Sequence, residues 1–218
     1  MSIHGPVVIN LDKRTDRLKD ITKEFNRVGL EFIRLSATEN TENPALACID
    51  SHCRALEGFL ETDLEIAFIC EDDAEFRCSR ADIDHYLVEF ISSPADVMCF
   101  GYYAAQEITY TALLYSSNDI QNRVSYIVKR HAAIEILKIW RKLYVLLVAK
   151  DHIKNPDNWY SRAYNNLPII NKAKDIYRGD QAWKICQQNL LFVLPKKRMV
   201  VQKESYSDIE KRNVLYGH

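Results

Sequence analysis

In the first hundred residues, short apolar runs alternate with segments whose apolar residues recur at helical spacing, and this alternation narrows the fold more than any other feature of the chain. Pro6 to Leu11 (PVVINL) reads as a buried strand ending in a polar turn, LDKRTDR. A helix follows, with Thr15 or Asp16 as its cap, Leu18, Ile21, Phe25 and Val28 on one face, and Gly29 as its stop. Glu31 to Leu35 is a second strand, Asn40 to Pro44 a turn, and Ala55, Leu56, Phe59 and Leu60 mark a helix starting near Ser51. Glu65 to Cys70 (EIAFIC), a helix over Ile83 to Ile91, and Val97 to Phe100 continue the series. Such alternation predicts an α/β domain with a central, mainly parallel sheet flanked by helices, and ligands in such sheets bind outside the carboxyl ends of the strands.

The second half is less regular. Arg123 to Val128 reads as a strand, and Ala133, Ile136, Leu137, Trp140 and Tyr144 as one face of a long helix. His152 to Ile176 is rich in Asn, Pro and Tyr without clear periodicity and is expected to be a loop region near a site, with short strands at Leu190 to Leu194 and Met199 to Val201. At 218 residues, 47% of them hydrophobic, the chain can bury one sizeable core, so a single domain over 1–218 is expected. A net charge of -1 provides no basic field for nucleic acid or an anionic membrane, which leaves small molecules as the expected partners. The six cysteines form no CxxC pair and several sit in apolar runs, so they read as reduced, mostly buried thiols. No N-x-S/T sequon or signal-peptide apolar region occurs, and the longest apolar stretch, near Tyr144 to Ala149, is too short to span a bilayer. A soluble, cytoplasmic protein is expected.

Glu71, Asp72 and Asp73 are the most informative cluster. Three adjacent carboxylates after a buried strand repel one another unless solvent or a cation compensates. A divalent ion with oxygen ligands, Mg²⁺ or Mn²⁺, is the simplest compensation, and a solvated acidic turn is the plainer alternative. Arg14 and Arg17, just after the first strand, are placed either to pair with phosphates or to sit on an ordinary exposed helix. Walker and GxGxxG loops are absent, so phosphate recognition would rest on metal and side chains. His52 shares a helical face with Ala55, Leu56 and Phe59 and reads as a hydrogen-bonded histidine at the core edge rather than a metal ligand. Ser51 has no suitable base beside it, and neither HExxH nor a zinc-type Cys/His spacing appears. Asp180, in RGDQAW just before an expected helix, is either a general base or an N-cap.

Four segments taken together resemble glycosyltransferase family 25, which includes bacterial lipooligosaccharide galactosyltransferases and the collagen galactosyltransferase domain. They are VVINLDKRTDR at Val7 to Arg17, ALACIDSHCRAL at Ala45 to Leu56, IAFICEDDAEF at Ile66 to Phe76 and SYIVKRHAAIEIL at Ser125 to Leu137. The late segment PKKRMVVQKESYSDIE, Pro195 to Glu210, resembles the family's closing pattern, and GDQAW at Gly179 to Trp183 falls where the family has an aspartate. The resemblance implies a GT-A-like fold, a uridine diphosphate sugar donor, a Mn²⁺ or Mg²⁺ ion, a hydroxyl-bearing glycan acceptor and inversion at the anomeric carbon. Carried over by position, Leu11, Arg14, Arg17 and Asp72 serve the nucleotide donor, Glu71 and Asp73 the metal, and Asp180 takes the role of base. The chain departs from the family in its Leu46-Ala47-Cys48 segment, in His131 before Ala132, and in the Asn/Tyr-rich stretch from Asn155 to Tyr177. Two other classes compete: a non-catalytic nucleotide-sugar or glycan-binding protein, and a metal-dependent phosphoesterase, which would normally need more spaced ligands.

Overall fold

The computed structural model describes residues 2–170, 172–207 and 212–214. β1 (His4–Asn10), α1 (Thr15–Val28), β2 (Ile33–Ser36), α2 (Pro44–Leu60) and β3 (Ile66–Glu71) come first, and the Asp72–Asp73 turn then leads into β4 (Ala74–Phe76), α3 (Arg80–Ser92) and β5 (Val97–Ala104). There follow β6 (Ile108–Thr109), β7 (Leu114–Ser116), β8 (Ile120–Lys129), α4 (Arg130–Val148), α5 (Asp151–Lys154), α6 (Trp159–Asn165) and α7 (Gly179–Cys186). The last strands are β9 (Phe192–Pro195), β10 (Val200–Gln202), β11 (Ser205–Ser207) and β12 (Arg212–Val214).

The central sheet has the order β2-β1-β3-β8-β5-β9-β7-β6, with β4 and β10 forming a small antiparallel pair beside it. β1 is parallel to β2 and β3, and β5 to β9, whereas β8 runs antiparallel between β3 and β5, and β7 antiparallel to β9 and β6. Every strand of this sheet except β7 and β8 therefore points one way, as the alternation of elements predicts.

Period-two alternation along the strands sorts side chains into two apolar layers. Val7, Ile9, Ala67, Ile69, Tyr126 and Val128 pack with residues of α2, α4, α6 and α7 on one face. Val8, Ile66, Phe68, Cys70 and Ile127 pack with α1 and α3 on the other. Burial on both faces explains why β3 is apolar without interruption until Glu71, where the strand leaves the two layers. All six cysteines are free, and among the described residues no helix is long and apolar enough to cross a membrane.

Three local expectations are corrected. The N-cap of α1 is Arg14, with no side-chain cap, and Thr15 is already helical, while Gly29 closes the helix in the left-handed conformation, φ 67°, as expected. α2 begins well before Ser51, because Pro44 fits the first helical turn, where its missing N–H costs nothing, and the Asn43 side chain accepts from Leu46 N at 3.0 Å. The supposed loop at 152–176 contains α6 and most of α5: Asn158 caps α6 by accepting from Tyr160 N and Ser161 N, and Tyr160 and Tyr164 are buried one turn apart. Helices this short show no sequence periodicity and are held by caps and burial instead.

Candidate active site

The carboxyl ends of β1 and β3 lie side by side, with Ile9 opposite Glu71, and this register brings Asn10 to the acidic turn. Asn10 Nδ2 donates to Asp72 Oδ2 at 2.7 Å and to the Arg14 carbonyl at 3.1 Å, while its Oδ1 accepts from Arg34 Nε at 2.9 Å. One asparagine thus joins the turn after β1, strand β2 and the acidic cluster. Arg17, in the first turn of α1, donates from Nη1 to Asp72 Oδ1 at 2.9 Å and to Asp73 Oδ2 at 3.3 Å. The pairing of β10 with β4 sets Gln202 beside Asp73, whose Oδ2 accepts from Gln202 Nε2 at 3.1 Å. Arg14 turns the other way, to Asp16, and the Leu11 carbonyl accepts from Arg14 N at 2.9 Å.

Burial dominates the acid–base behaviour of this turn. It pushes the Asp73 carboxyl up to about 7, helped by the neighbouring Glu71 charge and opposed by Arg17. Asp72 and Glu71 are raised for the same first reason, with Arg17 the main opposing charge on Asp72 and Arg123 on Glu71. Asp73 Oδ1 is buried and has no hydrogen-bond partner. The orphaned, desolvated Asp73 oxygen is suited to a cation. Glu71, Asp72 and Asp73 do not bring one oxygen each within 4.8 Å of one another, so the turn supplies at most part of a ligand set.

Glu71 leans toward α2. His52 Nε2 stands 2.8 Å from Glu71 Oε1, and its Nδ1 stands 3.1 Å from the Tyr126 hydroxyl on β8. The imidazole is fully buried, lies flat against Tyr126 and meets Trp140 edge-on, and burial holds its pKa well below the usual histidine value. One helical turn before His52, the Cys48 Sγ accepts from Arg123 Nη2 at 3.1 Å. Arg123 is a buried charge on β8, packed over the Trp140 ring at 5.0 Å. Its charge is supported by Cys48, Glu71 and Asp180 against the cost of burial. Gly179 lies against it so closely that a Cβ there would come within 2.2 Å of Arg123 Nη1. The Trp140 indole also donates to the Gly179 carbonyl at 2.9 Å, which fixes the start of α7 and with it Asp180.

These elements enclose a cleft of about 490 Å³ lined by Cys48, Glu71, Tyr103, Arg123, Asp180 and Gln202 among others. Of the residues singled out from sequence, Glu71 and Asp180 face this cleft together. Asp72, Asp73 and Arg17 interlock behind the end of β3, and Arg14 and Leu11 belong to the turn after β1. Asp180 is not an N-cap: Arg178 holds that position, and Asp180 lies in the first turn of α7, where exposed backbone N–H groups favour a negative charge. Asp208, Ile209 and Glu210, the end of the late segment that resembles the family's closing pattern, lie outside the described residues.

No known family profile matches the chain. No curated protein matches it. Among solved structures it is similar to A197 from STIV, at 12% identity, full coverage of both chains and a TM-score of 0.43. A glycosyltransferase involved in the glycosylation of the major capsid of PBCV-1 is similar at 14% identity, over 77% of this chain and 70% of that one, with a TM-score of 0.40. The inositol-1-phosphate CTP transferase from T. maritima is similar at 11% identity, over 93% and 71%, with a TM-score of 0.37. Backbone agreement at these scores is loose and bears on neither activity nor ligand.

Sequence reasoning missed Asn10, Arg123 and Gln202; its reading of His52 as a hydrogen-bonded histidine at the core edge holds as to the hydrogen bonds, though the ring is fully buried and one partner is Glu71. One signal was present: Cys48 and His52 stand four apart on one helix face.

Proposed function

We propose that this chain is a metal-dependent glycosyltransferase of the family 25 kind, which moves a sugar from a uridine diphosphate sugar to a hydroxyl acceptor with inversion. The observation that carries this reading is the pairing of Glu71, at the carboxyl end of β3, with Asp180, at the start of α7, on the walls of one cleft. Glu71 and Asp73 would hold Mn²⁺ or Mg²⁺, whose contribution when bound is to offset the charge of the departing diphosphate. Arg17 keeps Asp72 and Asp73 aligned, and with Leu11, Arg14 and Asp72 it borders the side assigned to the nucleotide. Asp180 would take the proton of the acceptor hydroxyl at the moment of attack, a role that needs a carboxylate away from the leaving group. The support for that assignment is its place in the cleft at a helix N-terminus. A phosphoesterase reading draws less support, since such a site would normally need more spaced ligands than this turn offers.

The test is thermal unfolding with UDP, Mn²⁺ and both. If the ion joins carboxylates to diphosphate, the two ligands together raise Tm by more than the sum of their separate shifts, and Asp73→Ala removes the excess. Additive shifts in the wild type would refute a shared site.

A further inference from the structure

The side of Glu71 that faces α2 carries a second kind of chemistry. Cys48 Sγ, a His52 ring nitrogen and a Glu71 carboxylate oxygen all lie within 4.8 Å of one another, the one such group of three among the described residues. We infer that Cys48, His52 and Glu71 form a three-ligand site for a borderline, thiophilic divalent ion such as Zn²⁺, with the fourth coordination position open to the cleft.

Four features of the molecule converge on this. The ligand set is the mixed sulfur, nitrogen and oxygen type that zinc accepts and that Mg²⁺ or Mn²⁺ would not select. With zinc–ligand bonds of about 2.0–2.3 Å, donor atoms around one ion stand roughly 3.3–3.7 Å apart, so the triangle seen here needs only side-chain adjustment to close. Cys48 and His52 project from one face of α2, and β3 fixes Glu71 opposite them. The outer partners are also in place. The Tyr126 hydroxyl meets His52 Nδ1 at 3.1 Å and so directs Nε2 at Glu71, the arrangement by which a metal-ligating imidazole is usually oriented. Arg123 supplies an N–H to the Cys48 sulfur at 3.1 Å, a bond that a coordinated thiolate accepts more strongly than a thiol does.

Charge and protons balance. On binding, the Cys48 thiol loses its proton to solvent and the ring N–H moves to Nδ1, facing the Tyr126 oxygen, so thiolate and carboxylate together offset the charge of the ion. Three protein ligands with an open position toward a cleft is the layout of a site that takes an exogenous ligand, whereas structural zinc sites are closed by four. Glu71 is common to this site and to the oxygen-donor cluster, so Zn²⁺ held here draws Glu71 away from Asp73.

The inference stands apart from the transfer reading, because its readouts need no sugar donor. Co²⁺ titrated into the metal-free protein should give a thiolate-to-cobalt charge-transfer band and the intense visible absorption of a four-coordinate ion, and Zn²⁺ should bleach both. Cys48→Ser should abolish the charge-transfer band and weaken Zn²⁺ binding by at least about 100-fold, the upper end of what loss of an outer-shell partner costs. The native thiol supplies a second measurement that needs no variant. Cys48 is the one cysteine that is not buried, and desolvation of its sulfur raises the thiol to about 12. Iodoacetamide at alkaline pH, with the labelled cysteine identified by mass spectrometry, should therefore modify Cys48, and Zn²⁺ should protect it. A cobalt complex without a thiolate band, a Cys48→Ser protein that binds Zn²⁺ like the wild type, or labelling indifferent to Zn²⁺ would overturn the site.

Discussion

The two walls of the cleft are built on opposite plans. On the β3 wall Glu71 is engaged by His52, and behind it Asp72 is held by Asn10 and Arg17 and Asp73 by Arg17 and Gln202. On the α7 wall Asp180 meets Gln181 Nε2 at 3.4 Å, and its position comes from the backbone of Gly179, clamped by Trp140 and Arg123. A crowded, desolvated set of acids is suited to holding charge in place, whereas an acid set by its backbone at a helix start is suited to reaching a proton. The contrast also separates two kinds of stability. The β3 wall is strained by its own charges, and the α7 wall rests on packing and on one buried ion pair behind it.

That pair is where the comparison breaks most visibly. Lys184 and Asp119 meet at 2.6 Å with almost no exposure, and Asp119 also accepts from Ile170 N at 3.1 Å, which ties the segment preceding α7 to the sheet. Lys184→Met leaves the Asp119 charge buried without its counter-ion, so chemical unfolding should show a loss of about 3–5 kcal/mol. The double variant Lys184→Met/Asp119→Leu should recover much of it. A loss below about 1 kcal/mol would mean that α7 is held by packing alone.

A smaller effect is expected at Asp180. Asp180→Asn keeps the side-chain shape, so turnover should fall by about 100-fold or more while donor affinity, read by calorimetry with UDP and Mn²⁺, stays nearly unchanged. Retention of most of the rate would leave Asp180 as a helix-start residue, with Asp175, which also lines the cleft, the next choice.

The last effect depends on pH and sharpens the other wall. Asp73 is held near 7 in the folded protein, far above its unfolded value of 3.8, so between these limits the folded state binds more protons than the unfolded one. Its contribution is therefore fully present below about pH 4 and is lost as pH rises through 7. In metal-free buffer, Asp73→Asn should gain on the wild type across that window and then level off. Linkage sets the full gain by the separation of the two values, at most about 4 kcal/mol, and the attraction of Arg17 is already contained in the raised value. A gap that stays constant with pH would show that Asp73 does not titrate there.

Much of this molecule is local in origin. Short continuous apolar runs at 6–11, 65–70 and 97–100 mark strands buried on both faces, and helical spacing in 15–28 and 130–148 marks the buried face of a helix; both are properties of neighbouring residues along the chain. Gly29 stops α1 for a reason equally local, since the left-handed conformation favours glycine. The acidic triplet could likewise be assigned to the carboxyl end of a buried strand. Short helices such as α6 escaped because their stability comes from Asn158 and from tyrosines packed against the core.

What the amino-acid pattern by itself determined is thus the α/β class, the mainly parallel sheet and the position of Glu71, Asp72 and Asp73 at a strand end. What only the tertiary structure decided is who meets whom. His52 reaches Glu71, Arg123 reaches Cys48 and Asp180 faces Glu71 because β8 inserts antiparallel between β3 and β5, and because α2, α4 and α7 share one face of the sheet. Strand order and layer packing are settled by the burial of the whole core, and contacts between residues dozens of positions apart follow from that global solution rather than from any local spacing.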